Sequence, residues 1–470
     1  MAGREPYSPK YRTALVLTGA GTAGAYHAGV LRALAEAGVR IDLVAGHGAG
    51  AIGAFFTAME GGAALYGQDG FWRQKAVAGF YGWRPALRAF GWAAAAALAL
   101  VLVPLAGLAG GLVAFPAALL LSLLGVDAGR TLAESYVTLV REAFAPGGLA
   151  SWVPRASLLL AAAVLAALAA AASRARIAGR RRERGRFWWR VFGAPLDRDA
   201  IASYWQTALW RLITGGARAP KPDPVDLSRR YAELLTENLG QPGFRELLVL
   251  VHDLDTRRDL AMAALAEPYR RSFFGRRAPG AQASSERAGE TLDLAGAERE
   301  HAMDVLTAAL CLPVVTEPWP VTFNAESYWR GETHRWCDRP GSLARLLEEV
   351  EAAGAEQVVV VSAATADRDP HTLADLRLDG RGRIGSWLAS ESAASARDAI
   401  RTTAPSFRCV MTISPDYNPL GPLDMVGTYD ERSDRVQLLA EALDQGYADA
   451  YRQFIDPVVG AADPSAYPTL

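Results

Sequence analysis

The chain has 470 residues, with 49 Lys and Arg against 50 Asp and Glu, a formal net charge of −1, and 51% hydrophobic residues. That near-neutral balance argues against a nucleic-acid binder, and the apolar content excludes disorder as the dominant state. The length is ample for one large core and allows up to three domains.

Cys311, Cys337 and Cys409 are an odd, widely spaced set without a CxxC pair. They predict neither a disulfide framework nor a zinc site, and a reducing compartment is the simplest reading. The N-terminus, Met1 to Pro6, lacks an apolar stretch, so no secretory signal is expected, and Ala2 excludes the usual myristoylation start. Lys10, Lys75 and Lys221 are the only lysines, and the Ala- and Arg-rich composition hints at a GC-rich, bacterial genome.

Ala14 to Thr18 reads as a buried strand, followed at once by Gly19-Ala20-Gly21-Thr22-Ala23-Gly24 and a helical pattern through Ala28, Leu31 and Leu34. A glycine turn between strand and helix exposes backbone N–H groups that hold a phosphate or stabilise an oxyanion. A dinucleotide site wants an acidic residue at the end of the second strand. Asp42 stands instead at the start of the strand Asp42 to Ala45, which weakens that reading. The second strand runs into Gly46-His47-Gly48-Ala49-Gly50 and a helix through Ala51 to Phe56. This is the frame of a G-x-S-x-G nucleophile elbow with glycine at its centre.

From Phe90 to Val126 no residue is charged, and about 20 apolar residues suffice to cross a bilayer. Pro104, Gly107, Gly110, Gly111 and Pro116 allow either a kinked, tilted helix or a short hairpin. Ala156 to Ala172 reads as a second span, with Trp152 before it and Phe187, Trp188 and Trp189 after it as interfacial anchors. Arg84 and Arg88 precede the first run, and Arg174, Arg176, Arg180, Arg181, Arg182, Arg184, Arg186 and Arg190 follow the second. Both outer flanks are therefore expected on the cytoplasmic side, with an even number of crossings. A buried helix in a large soluble core is the plainer alternative for both runs.

The glycine turn followed by the elbow resembles the patatin-like phospholipase family. Further along, Leu247 to Asp255 is similar to that family's central strand, and Ala308-Ala309-Leu310-Cys311-Leu312-Pro313 looks like its small-residue turn ahead of the catalytic aspartate. Then follow Cys337-Asp338-Arg339-Pro340, a helix through Leu343 and Val350, and the strand Gln357 to Ser362. The resemblance implies a three-layer α/β/α hydrolase fold interrupted by a transmembrane helical insertion. It divides the chain into 1–85 and 191–470, the two parts of the patatin-like domain, around an insertion at 86–190.

By the same resemblance Asp338 is the proton acceptor of a Ser–Asp dyad and Gly48 stands at the nucleophile position. Gly19, Ala20, Gly21, Thr22, Ala23 and Gly24 form the oxyanion turn. Asp379, in an Asp-Gly dipeptide after the strand, is the rival for the aspartate. The departures fall on the catalytic positions: glycine at 48, Ala23 where a basic residue is common, and Arg339-Pro340 after the aspartate. His27, His47 and Cys337 are candidates for substitute chemistry. No metal or cofactor is called for, since His and Cys show no ligand spacing.

The expected function is that of a membrane-anchored, lipid-binding pseudoenzyme of lipid metabolism, because losing a hydrolase serine removes about 10⁶ in turnover in the subtilisin example. The alternatives are an active acyl-ester hydrolase or phospholipase using water or another nucleophile with Asp338, and a membrane scaffold for a protein partner. The expected partners are phospholipid or lysophospholipid acyl chains and the membrane, without nucleic acid.

Overall fold

The computed structural model describes residues 7–143, 145–147, 151–178, 193–215, 217, 219–275, 285–365 and 379–459. It divides into two compact units, one comprising 1–82 and 196–470, the other 83–195. Met1 to Pro6, Arg180 to Arg190 and the anchors Phe187, Trp188 and Trp189 lie outside the described residues.

The first unit is a mixed α/β fold on a parallel-rich sheet. Its elements are β1 (Thr13–Thr18), α1 (Ala23–Glu36), β2 (Leu43–Gly46), α2 (Gly50–Thr57), then, past the second unit, β3 (Glu246–Asp253), β4 (Arg258–Ala264) and β5 (Thr291–Asp293). They are followed by β6 (Trp319–Thr322), β7 (Thr333–Cys337), the helix Leu343–Ala352, β8 (Gln357–Ser362), the helix Gly380–Thr403 and β9 (Cys409–Ile413). The strand order is β5-β4-β3-β2-β1-β8-β9. β1 is parallel to both neighbours, with Leu15 opposite Val44 and Val359, while β3 and β4 are antiparallel.

The core strands are almost wholly apolar because both faces are covered. Leu15, Leu17, Val359 and Val361 pack with α1 and α2 on one face, and Ala14, Val16, Val358 and Val360 pack with Leu346, Leu347, Val350 and Ala399 on the other. The sheet is the middle of three layers. β7 pairs antiparallel with the end of β3, setting Cys337 opposite His252 and delivering Asp338 immediately after the pairing ends.

The second unit is helical. Pro85–Ala109 and Gly111–Leu123 form a helical stretch of 39 residues, long and apolar enough to cross a membrane. Gly110 keeps helical angles, φ −56° and ψ −25°, so the glycines and prolines of this run do not fold it into a hairpin. The Tyr136 hydroxyl lies 2.9 Å from the carbonyl oxygens of both Gly107 and Leu108, beside the interruption, where backbone acceptors need a partner. The second apolar run lies in the helix Trp152–Ala178, whose apolar part, Arg155–Ala170, is shorter. Leu98, Leu105, Leu112, Leu119, Leu158 and Leu165 are exposed, a large apolar surface compatible with membrane association.

Candidate functional site

Thr18 and Gly46 end adjacent parallel strands, so both glycine turns leave the carboxyl edge of the sheet side by side, where open α/β sheets place their ligands. The Ala49 N–H donates to the Gly19 carbonyl at 2.8 Å and ties the two turns together. Gly48 is left-handed at φ +57°, as the abrupt change from β2 to α2 requires, and a Cβ there would lie 2.5 Å from Gly19 O and 3.0 Å from Asp338 Oδ2. The elbow turn is thus formed, and its central residue faces the aspartate. The Gly19 carbonyl therefore crowds the place that a side chain at position 48 would take.

Asp338 is 2% exposed, and its N–H donates to Cys311 O at 2.9 Å, which fixes the Ala308 to Pro313 turn against it. One carboxylate oxygen, Oδ1, lies 3.2 Å from His47 Nδ1; the other, Oδ2, is buried without a hydrogen-bond partner among the described residues. His47 Nε2 lies 2.7 Å from Thr18 Oγ1. The neutral tautomer that satisfies both contacts carries its proton on Nδ1, donates it to the carboxylate, and leaves Nε2 to accept from the Thr18 hydroxyl. The sequence reading named His47 and Asp338 separately. It missed Thr18, whose only signal was a hydroxyl at the end of a buried strand.

The glycine turn is divided. The Thr22 N–H and hydroxyl donate to Pro422 O at 3.1 Å and Gly421 O at 2.9 Å, and the Ala23 and Gly24 N–H groups close local turns on Ala20 O and Gly21 O. Gly21, at φ +56°, admits Pro422 so closely that a Cβ would lie 1.7 Å from its carbonyl oxygen. The N–H groups of Gly19, Ala20 and Gly21 have no partner among the described residues. Of the six positions expected to form the oxyanion turn, these first three keep available donors. The Pro422 contact arises from the far end of the chain and had no signal in the sequence.

The other candidates fall elsewhere. The Asp379 carboxylate accepts the Gly382 N–H at 3.0 Å and caps the helix Gly380–Thr403, a structural task. Asp253 accepts the N–H groups of Asp255 and Thr256 and faces His334 at 2.7 Å, closing the turn between β3 and β4. Burial pushes the Cys337 thiol up to about 12 and Cys311 to about 11, so neither supplies a thiolate at neutral pH. Arg339, where the family pattern has glycine, pairs with Asp259 on β4, Nε to Oδ1 at 3.1 Å. Among the described residues no group of three or more His, Cys, Asp or Glu is placed to hold a metal ion.

His27 is enclosed in α1, and its Nε2 contacts Thr18 O at 3.1 Å. Burial pulls its pKa from 6.5 down to about 4. Between those values the unfolded chain binds a proton that the folded chain does not, so stability falls as the pH drops from 6.5 toward 4. Denaturant midpoints measured across that window are expected to decline, and His27→Gln to flatten the decline. An unchanged slope in the variant would assign the acid sensitivity to other groups.

No family model matches the chain, and no curated protein does. Among solved structures, VipD from Legionella pneumophila matches with 13% identity and a TM-score of 0.31, over 96% of this chain and 68% of that one. Likeness at that level carries no argument about activity. What the fold and the site define by themselves is a mixed α/β protein with an elbow-like glycine turn, a buried aspartate facing it, and a helical unit bearing an apolar, membrane-compatible surface.

Proposed function

We propose that this chain is a membrane-anchored, patatin-like protein that binds phospholipid or lysophospholipid acyl chains and has lost the dyad hydrolysis of that family. The observation that carries the reading is the elbow itself. A left-handed residue at a strand-to-helix turn faces a buried carboxylate beside three backbone donors, and that residue has no nucleophilic atom. Asp338 takes the place of the dyad aspartate, and Gly19, Ala20 and Gly21 the place of the oxyanion donors.

The helical unit supports the membrane part of the reading. A groove of about 1130 Å³ within it is lined by apolar residues such as Leu108, Leu112, Phe115 and Val140, with Arg141 among them, a combination suited to an acyl chain and an anionic head group. Arginine bias in the flanks supports a cytoplasmic position for the α/β unit.

The test is lipid extraction and mass spectrometry of the detergent-purified full chain, with steady-state lysophospholipid turnover measured beside Asp338→Ala. Bound phospholipid or lysophospholipid with turnover at background supports the reading. Sustained turnover that disappears in Asp338→Ala makes the protein an active hydrolase instead. A protein partner at fixed stoichiometry without bound lipid makes it a scaffold.

A further inference from the structure

Thr18, His47 and Asp338 form a chain of contacts, hydroxyl to imidazole at 2.7 Å and imidazole to carboxylate at 3.2 Å, with every member no more than 3% exposed. This is the order of roles in nucleophilic acyl transfer: a hydroxyl, a base whose far nitrogen accepts from it, and a carboxylate that fixes the tautomer. The elbow serine is absent, but an alcohol within reach of a positioned base is not.

The surroundings favour chemistry over a purely structural polar cluster. Buried polar groups in folded proteins are nearly always paired, and leaving one unpaired costs about 1–3 kcal/mol. Among the described residues Asp338 Oδ2 and His27 Nδ1 are buried without a partner, and the N–H groups of Gly19, Ala20 and Gly21, which follow Thr18 directly in the chain, have none either. Consecutive donors left unused on the residues that follow a hydroxyl are of the kind that a developing carbonyl oxyanion requires.

We infer that Thr18 is an acyl acceptor, activated by His47 and positioned through Asp338, that takes a fatty-acyl group from an ester donor. The inference rests on the acyl-lipid reading above and goes beyond it. Thr18 Oγ1 attacks the ester carbonyl carbon as its proton passes to His47 Nε2. The carbonyl oxygen becomes the oxyanion. Its collapse breaks the bond to the leaving alcohol, which takes the proton from His47. The products are a Thr18 acyl ester, neutral His47 and the free alcohol. The sequence of steps ends at the acyl ester, so one acyl group is transferred per chain without sustained turnover.

The experiment incubates the detergent-purified full chain with p-nitrophenyl octanoate and follows p-nitrophenol release, intact mass and peptide mapping. One equivalent of p-nitrophenol, with one octanoyl group on the peptide containing Thr18, is expected. Thr18→Ser keeps the adduct and Thr18→Val abolishes it. His47→Gln slows its formation by about 10²–10⁴-fold, the usual contribution of a general base. Circular dichroism of each variant shows that it is folded, and Thr18→Ser keeps the test open if Thr18→Val is not.

Absence of an adduct from the parent chain, or an adduct at equal rate in folded Thr18→Val, overturns the inference. Lipid extracted from the same preparation separates the two readings. Bound lipid without a Thr18 adduct overturns the acyl-acceptor role alone, whereas neither lipid nor adduct overturns both.

Discussion

Gly48→Ser lowers the stability of the detergent-solubilised protein by about 2–6 kcal/mol and does not create a working dyad. A non-glycine residue held at a sparsely populated backbone conformation costs on the order of 1–3 kcal/mol, and forcing atoms into a packed site adds typically 1–3 kcal/mol. Both apply at Gly48, which is left-handed and whose added Cβ would lie 2.5 Å from the Gly19 carbonyl oxygen. That carbonyl is held in place by the Ala49 N–H at 2.8 Å, so moving it disturbs the second turn as well. Denaturant midpoints of Gly48→Ala and Gly48→Ser separate the steric effect, shared by both, from the hydroxyl's own. A Gly48→Ser protein as stable as the parent and hydrolysing lysophospholipid would mean that the Gly19 carbonyl yields and that serine is the only missing part.

Arg287→Ala is expected to cost about 3–5 kcal/mol, because it strands a buried carboxylate. Arg287 and Glu349 are 5% and 2% exposed and form two parallel bonds, Nη1 to Oε1 at 2.6 Å and Nη2 to Oε2 at 2.5 Å. The guanidinium also lies over the Phe273 ring, 4.6 Å from its centroid. Arg345 reaches the same carboxylate at 2.7 Å but is partly exposed and shared with Glu290, so it does not replace the buried partner. Replacing both members, as in Arg287→Met with Glu349→Leu, should recover most of the loss, since two apolar groups of similar volume leave no charge unpaired. Denaturation curves of the single and double variants decide this. A single variant within about 0.5 kcal/mol of the parent, the usual range for surface changes, would show that Arg345 or water compensates.

These two sites differ in how visible they were beforehand. Gly48 stood out because a strand, a five-residue glycine frame and a helix followed one another in a fixed local order, and such order is written in neighbouring residues. Arg287 and Glu349 are separated by 62 positions, and nothing in either neighbourhood marks the pair. The same holds for Thr18 and His47, 29 positions apart, and for Pro422, which reaches the turn at Gly21 and Thr22 from about 400 residues away. Asp379, the rival set behind Asp338, matches the Asp-Gly dipeptide better and is a helix cap, so a dipeptide alone does not mark chemistry.

By itself the sequence determined the local units. Parallel strands buried on both faces read as continuous apolar runs, glycine turns mark abrupt changes of direction, and the uncharged stretch from Phe90 to Val126 announces a helix suited to an apolar surround. The tertiary structure alone decided which polar atoms meet at the end of the sheet. Strand register brings Thr18 beside His47, the β3–β7 pairing delivers Asp338, and the Pro422 contact occupies one edge of the glycine turn while leaving three donors without a partner among the described residues. Hydrophobic pattern is a property of neighbours in the chain, but hydrogen bonds across a core depend on the closure of long loops, which no local pattern encodes.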